Sequence, residues 1–185
     1  MINEQLKKFT IILGSASPRR KELLSDIGLK FSTQTTDKEE DYPTNLKEHE
    51  IAEFLAKQKA KFLSENLSKT DLLITADTIV SFKGELLNKP KNKEQAFSTL
   101  SKLSGNTHKV ITGVCIKNHQ REIYFSAITL VTFNKLTKKE INFYINNFNP
   151  FDKAGAYGIQ DWIGKIGIKS IEGSYSNVVG LPTAE

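Results

Sequence analysis

The chain has 185 residues, 38% hydrophobic and 25% charged, with a formal net charge of +5. That length suits one domain or two small lobes, and the apolar content excludes intrinsic disorder. The pI near 9.1 raises nucleic acid as a partner, but the lysines are dispersed with no basic run of motif length; the excess also suits a small polyanion, and a solvated lysine-rich surface is the default for most of these lysines. The one cysteine, Cys115, lies in an apolar run, reads as a buried small hydrophobe and allows no disulfide within the chain. Met1 to Thr10 lacks the apolar core of a secretion signal, and no apolar run has the length of a membrane span. A cytoplasmic protein is the expectation.

The first strand is expected over 9–14. It ends in Gly14 and is followed by Ser15-Ala16-Ser17-Pro18-Arg19-Arg20. Ser17 is a natural N-cap and Pro18 a natural first helical residue, so a helix is expected over 18–27. Arg19 and Arg20 then stand in its first turn, where the helix dipole disfavours cations. Helix-end N–H groups with two guanidinium forks make a phosphate site; two solvated arginines are the plainer alternative. A strand over 30–36 comes next. The acidic run Asp37-Lys38-Glu39-Glu40-Asp41 is either solvated surface or the source of one oxygen ligand for Mg²⁺.

A long helix is expected over 46–66, with Ala52, Leu55, Ala56, Ala60 and Leu63 as its apolar stripe. Lys59 falls inside that stripe and must either snorkel or reach a buried anion. The strand over 71–82 contains Asp77 among apolar residues. Asp is a poor strand former and an unpaired buried carboxylate is costly. It needs a metal, a cationic partner, a place at the sheet's mouth, or N–H partners at a bulge. A turn at Lys83-Gly84 leads to a brief strand over 85–88 and then to Lys89-Pro90, where Lys89 is a phosphate ligand or a loop lysine.

A helix over 92–103 has Asn92 and Gln95 as a capping box and Gly105 beyond its end. Strands over 107–118 and 121–133 form a hairpin through Asn118-His119. Thr137 and Glu140 cap a further helix that Pro150 stops. The tail, 153–182, reads as glycine-rich with short strand-like runs. In Asp152 to Gln160, small residues allow close backbone approach, and Gln160 offers a donor and an acceptor suited to a base edge; a tight connection packed on the sheet is the alternative. His49, His108, His119 and Cys115 have no zinc spacing, and no P-loop is present. The order of elements predicts a mixed α/β sheet flanked by helices.

The candidate cations and acids are the two halves of metal-assisted phosphoryl chemistry. The motifs as a set resemble the Maf family of nucleoside triphosphate pyrophosphatases. The likeness is carried by the Ser15 to Arg20 block, Leu55-Ala56-Lys57-Gln58-Lys59-Ala60, Ala76-Asp77-Thr78-Ile79-Val80, Lys89-Pro90, Leu103 to His108, Thr112-Gly113-Val114, Asp152 to Gln160, Gly173-Ser174-Tyr175 and Val179-Gly180-Leu181-Pro182. It runs from Ile11 to Pro182. Asn88 departs from it, standing where the family usually has glycine.

The resemblance implies a single Maf-like domain over 1–185, with an elongated mixed sheet in two lobes and a nucleotide-binding cleft, as in ITPase-like folds. It implies hydrolysis of a nucleoside triphosphate to monophosphate and pyrophosphate, assisted by Mg²⁺, Mn²⁺ or Co²⁺. Asp77 would be the proton acceptor. Arg20, Thr78 and Gln160 would set base specificity. Ser15, Arg19, Lys59 and Lys89 would hold phosphate. Glu40, or Glu39 in its place, would serve the metal. Ala154 to Gln160 is similar to the branch acting on dTTP and UTP, with modified pyrimidine nucleotides as further substrates. The expected partner is the nucleotide, with no nucleic acid and no membrane, and a homodimer remains open. The rival function is a nucleotide-binding regulator of cell division without turnover.

Overall fold

In the computed structural model, residues 2–38, 41–65 and 67–185 are described. Among them the chain forms a mixed seven-stranded sheet in the order β2-β1-β3-β5-β6-β7, with β4 paired to β3. The chain divides into two units. The first holds Met1–Asp77, Thr112–Ala127 and Gly180–Glu185; the second holds Thr78–Ile111 and Ile128–Val179.

The first unit begins with a short helix, α1 (Ile2–Leu6), which the sequence did not announce. β1 (Thr10–Gly14) lies parallel between β2 (Phe31–Thr33) and β3 (Asp71–Phe82), with Leu13 opposite both Thr33 and Ile74. Parallel strands need a crossover, and α2 (Pro18–Asp26) supplies the one between β1 and β2. Strand alternation sends Ile11, Leu13, Ile74 and Ala76 into one core, with Leu24, Leu29, Val114 and Leu181. Leu73 and Cys115 enter another, against Ala56, Ala60 and Leu63 of α3 (Glu48–Leu63).

The expected stripe of α3 is therefore its buried face. Its alanines allow close approach to the sheet, and Gly113 completes it. A Cβ on Gly113 would meet the backbone of Ala52. Thr75 Oγ1 donates to the Ala56 carbonyl at 2.7 Å, which fixes the helix along β3.

In the second unit, Lys83 and Gly84 both have positive φ and turn β3 back into β4 (Glu85–Leu86). α4 (Lys93–Leu103) starts at Asn92, whose side chain accepts from the Gln95 N–H at 2.9 Å. The expected box is only half formed, because Gln95 Oε1 accepts from Lys91 N and not from Asn92. α5 (Lys138–Phe148) carries the full Thr137/Glu140 box and ends at Asn149 in the left-handed region, ahead of Pro150. Such caps contribute about 1 kcal/mol each. β5 (Thr107–Lys117) and β6 (Glu122–Phe133) form the hairpin as read, closed by Asn118 N donating to Arg121 O at 2.9 Å.

The tail corrects the sequence reading. After two 3-10 turns, Pro150–Asp152 and Ala154–Ala156, it forms α6 (Trp162–Gly167), β7 (Ile168–Glu172) and α7 (Tyr175–Val179). Only β7 is strand, antiparallel to β6. The elements are short because glycines interrupt the apolar spacing before a full helical repeat develops. Ile163 is fully buried and holds α6 in place.

Candidate active site

In the first unit, β1 stops at Gly14, opposite Thr75 of β3, so Ser15 lies just past the carboxyl end of a parallel strand. Ser15 is buried, and its Oγ accepts from the Ser17 N–H at 3.2 Å and from Arg20 Nη1 at 3.3 Å. Ser17 caps α2 as expected, accepting from Arg20 N at 3.4 Å. Arg20 is only 9% exposed, and its Nε donates to the Gly180 carbonyl at 2.7 Å. Its guanidinium thus ties the segment before Leu181 to the start of α2. Arg19 beside it is half-buried.

The second feature of this unit is an ion pair. Lys59 Nζ of α3 lies 2.5 Å from Asp77 Oδ1 of β3, and 3.4 Å from the Ala76 carbonyl. Both side chains are about five-sixths buried, at 15% and 16% exposure. The lysine does not snorkel; it reaches the anion. Of the partners open to Asp77, the structure shows the cationic one, Lys59. The short Ala56 and Ala60 bring α3 down onto the sheet, which lets a lysine inside an apolar stripe reach a carboxylate on a strand.

In the second unit, Thr78 follows Asp77 directly on β3 and is half-buried. Leu87 N donates to Val80 O at 2.8 Å, and Gly155 N donates to Leu87 O at 2.8 Å. Gly155 has φ of 71°, and a Cβ there would press on Val80. Lys89 is exposed two residues beyond that ladder, with Pro90 buried behind it.

Gln160 is half-buried on a loop held by residues that the sequence reading passed over. Tyr144 OH donates to Asp161 Oδ2 at 2.6 Å and accepts from Gly158 N at 3.0 Å. Burial and the Asp161 carboxylate push the Tyr144 phenol well above its ordinary range, so it stays protonated and donating. Nothing in the local sequence marks the Tyr144 hydroxyl as a loop anchor. The neighbouring Tyr157 hydroxyl meets His108 Nε2 at 2.7 Å, and burial lowers the His108 pKa to about 4. Burial also raises the Cys115 thiol to about 11, which removes it as a nucleophile.

Glu39 and Glu40 lie outside the described residues. Among the described residues, no group of three or more His, Cys, Asp or Glu could hold a metal ion. This donor set fits a Mg²⁺-like ion that takes one or two carboxylates and otherwise substrate phosphates; it does not fit a resident protein cage.

Curated relatives match nearly end to end. A dTTP/UTP pyrophosphatase of Phocaeicola vulgatus is 51% identical, over 97% of this chain and 93% of its own length. One from Flavobacterium johnsoniae is 46% identical, over 100% and 95%. One from Porphyromonas gingivalis (strain W83) is 47% identical, over 97% and 92%. The family description "Maf-like protein" matches residues 10–185, which include the Ser15–Arg20 turn, the Lys59–Asp77 pair and the Gln160 loop. With that span matched and those identities, the chain belongs to the Maf-like protein family.

Proposed function

We propose that this chain hydrolyses dTTP and UTP to the monophosphate and pyrophosphate, taking up one water per turnover. The observation that carries the reading is the near full-length likeness to relatives named dTTP/UTP pyrophosphatase, at 46–51% identity. The chain's own residues supply matching chemistry. Asp77 accepts a proton from the water that attacks the α-phosphorus. Lys59 fixes the carboxylate's direction through the 2.5 Å contact. Arg19 and Lys89 offer cationic donors to phosphate oxygens, and Ser15 a hydroxyl. Arg20 acts through position as well, because its Nε is committed to Gly180. Gln160 reads the pyrimidine edge with one donor and one acceptor, with Thr78 beside Asp77 as a second specificity residue.

A divalent cation, Mg²⁺, Mn²⁺ or Co²⁺, when bound, neutralises charge on the triphosphate and the leaving pyrophosphate. Glu40, or Glu39 in its place, would supply the protein carboxylate for that ion. No described helix is long and apolar enough to cross a membrane.

The test is pyrophosphate release from dTTP, UTP, CTP and GTP, with added Mg²⁺ or Mn²⁺ and with EDTA. Turnover of dTTP and UTP above the other two, lost in EDTA, supports the reading. Tight nucleotide binding without pyrophosphate release would instead establish the regulator.

A further inference from the structure

The block Gly173-Ser174-Tyr175 has no part in the chemistry above, yet α7 is fastened with unusual care. Asn177 is fully buried, and its Nδ2 donates to Val110 O at 3.1 Å and to Thr129 Oγ1 at 2.9 Å. Thr129 Oγ1 also accepts from Ser174 N and donates to Ser174 O, both at 3.1 Å. Ser174 Oγ in turn accepts from Asn177 N at 3.3 Å. One threonine hydroxyl thus spends its donor and both acceptor sites on the four residues from Ser174 to Asn177. The aromatic ring of Tyr175, at the head of this bolted segment, is left 49% exposed. An aromatic held rigidly yet half in water is a prepared contact surface.

What Tyr175 faces is a cavity of about 560 Å³ within the second unit, lined in part by Ile159, Gln160, Ile168, Ile171 and Tyr175. That volume is in the range of small-molecule pockets. Its walls combine aliphatic side chains, one aromatic ring, one amide and, at the exposed margin, Lys165. A flat heteroaromatic ring with a hydrogen-bonding edge has the matching chemistry.

We propose that this cavity is the base pocket: the pyrimidine ring stacks on Tyr175 between the isoleucines and turns its carbonyl and N3–H edge to Gln160. The inference rests on the reading of Gln160 as the base-contacting residue and adds the platform against which that contact is made. Because Thr129 and Asn177 hold the backbone segment that carries Tyr175, less ordering of the chain is left to the binding step.

The experiment uses the full chain with ¹³C-labelled isoleucine δ1-methyls, titrated with thymidine, which carries no phosphate. Expected are saturable shifts of the Ile159, Ile168 and Ile171 methyls, while Ile11 and Ile74 of the first unit stay put. Tyr175→Ala should weaken thymidine binding at least about fivefold, the lower end for a lost base–aromatic stack. Tyr175→Phe should retain it, and undisturbed signals from Ile111 and Ile145, buried in the second unit away from the cavity, certify that each variant is folded. Equal thymidine affinity in wild type and Tyr175→Ala, or no saturable shift at the three methyls, overturns the proposal even if dTTP is hydrolysed normally. Shifts at the three methyls, weakened by Tyr175→Ala, with no pyrophosphate release from dTTP would sustain the pocket and sink the proposed reaction instead.

Discussion

Replacing Lys59 by methionine tests the ion pair without relying on any substrate. Methionine keeps the length and apolar character of the stem and removes the charge. At 2.5 Å, with an effective dielectric near 20, the gross attraction to Asp77 is about 7 kcal/mol, and desolvation of both groups offsets most of it. The asymmetry matters more than the net. With the ammonium gone, the Asp77 carboxylate stays in place at 16% exposure without that partner. Stranding it should cost about 3 kcal/mol, the low end of the range for buried pairs, because both groups keep some exposure. For a chain of this length that is a fall in Tm of about 9 °C. The assay is thermal unfolding of Lys59→Met, Asp77→Asn and the double variant. Neutralising Asp77 removes the stranded charge, so the double variant should be less damaged than the sum of the singles, by at least about 1 kcal/mol. Strict additivity, or a Lys59→Met variant as stable as wild type, would refute the pair and return Lys59 to solvent.

Asp77→Asn keeps the side chain's shape and loses the base, so pyrophosphate release should fall on the order of 10²-fold or more with nucleotide affinity retained; rates near wild type would remove Asp77 from the mechanism. Gln160→Ala should lower kcat/KM for dTTP and UTP more than for CTP and GTP, while a uniform drop across all four would assign Gln160 to structure. His108 is neutral in the fold down to a pKa of about 4, against 6.5 when unfolded. The unfolded chain therefore binds the proton first, and stability present above pH 6.5 is lost as pH falls towards 4, by about 3 kcal/mol. Urea unfolding at stepped pH reads this slope, and His108→Gln should flatten it; an unchanged slope would place the titrating group elsewhere. Gly113→Ala puts a Cβ on the Ala52 backbone, so α3 must move off the sheet at a cost of about 1–3 kcal/mol, seen as a lowered Tm; an unshifted Tm would show that the approach is not close.

Much of this fold is legible where one periodicity runs uninterrupted. The stripe from Ala52 to Leu63 fixed a helix and its buried face, and the run from Asp71 to Phe82 fixed a strand to the residue. Lys59 and Asp77 each stood out as misplaced charges, but only the packing of α3 on β3 shows that each is the other's partner. The Arg20 contact was out of reach, since Gly180 lies 160 residues along the chain and no local pattern pairs them. The tail misled for a different reason. α6 and α7 have six and five residues, too few for a helical stripe to declare itself against Gly164, Gly167 and Gly173. Thr137 and Glu140 were readable as a cap because both partners sit within one turn; Tyr144 and Asp161 were not, because their bond joins α5 to the N-cap residue of α6.

The span between Arg20 and Gly180 also sets a timetable for synthesis. Leu181 shares a core with Ile11, Leu13 and Leu24, so that core is complete only once the segment following Val179 has been made. At about 5–20 residues per second, a ribosome needs roughly 10–30 s to travel from one partner to the other. During that interval the first unit's apolar faces have left the exit tunnel ahead of the leucine that closes them. A chaperone that holds nascent chains has its longest opportunity here, and a message truncated before codon 180 would release a first unit with neither its Gly180 tie nor Leu181.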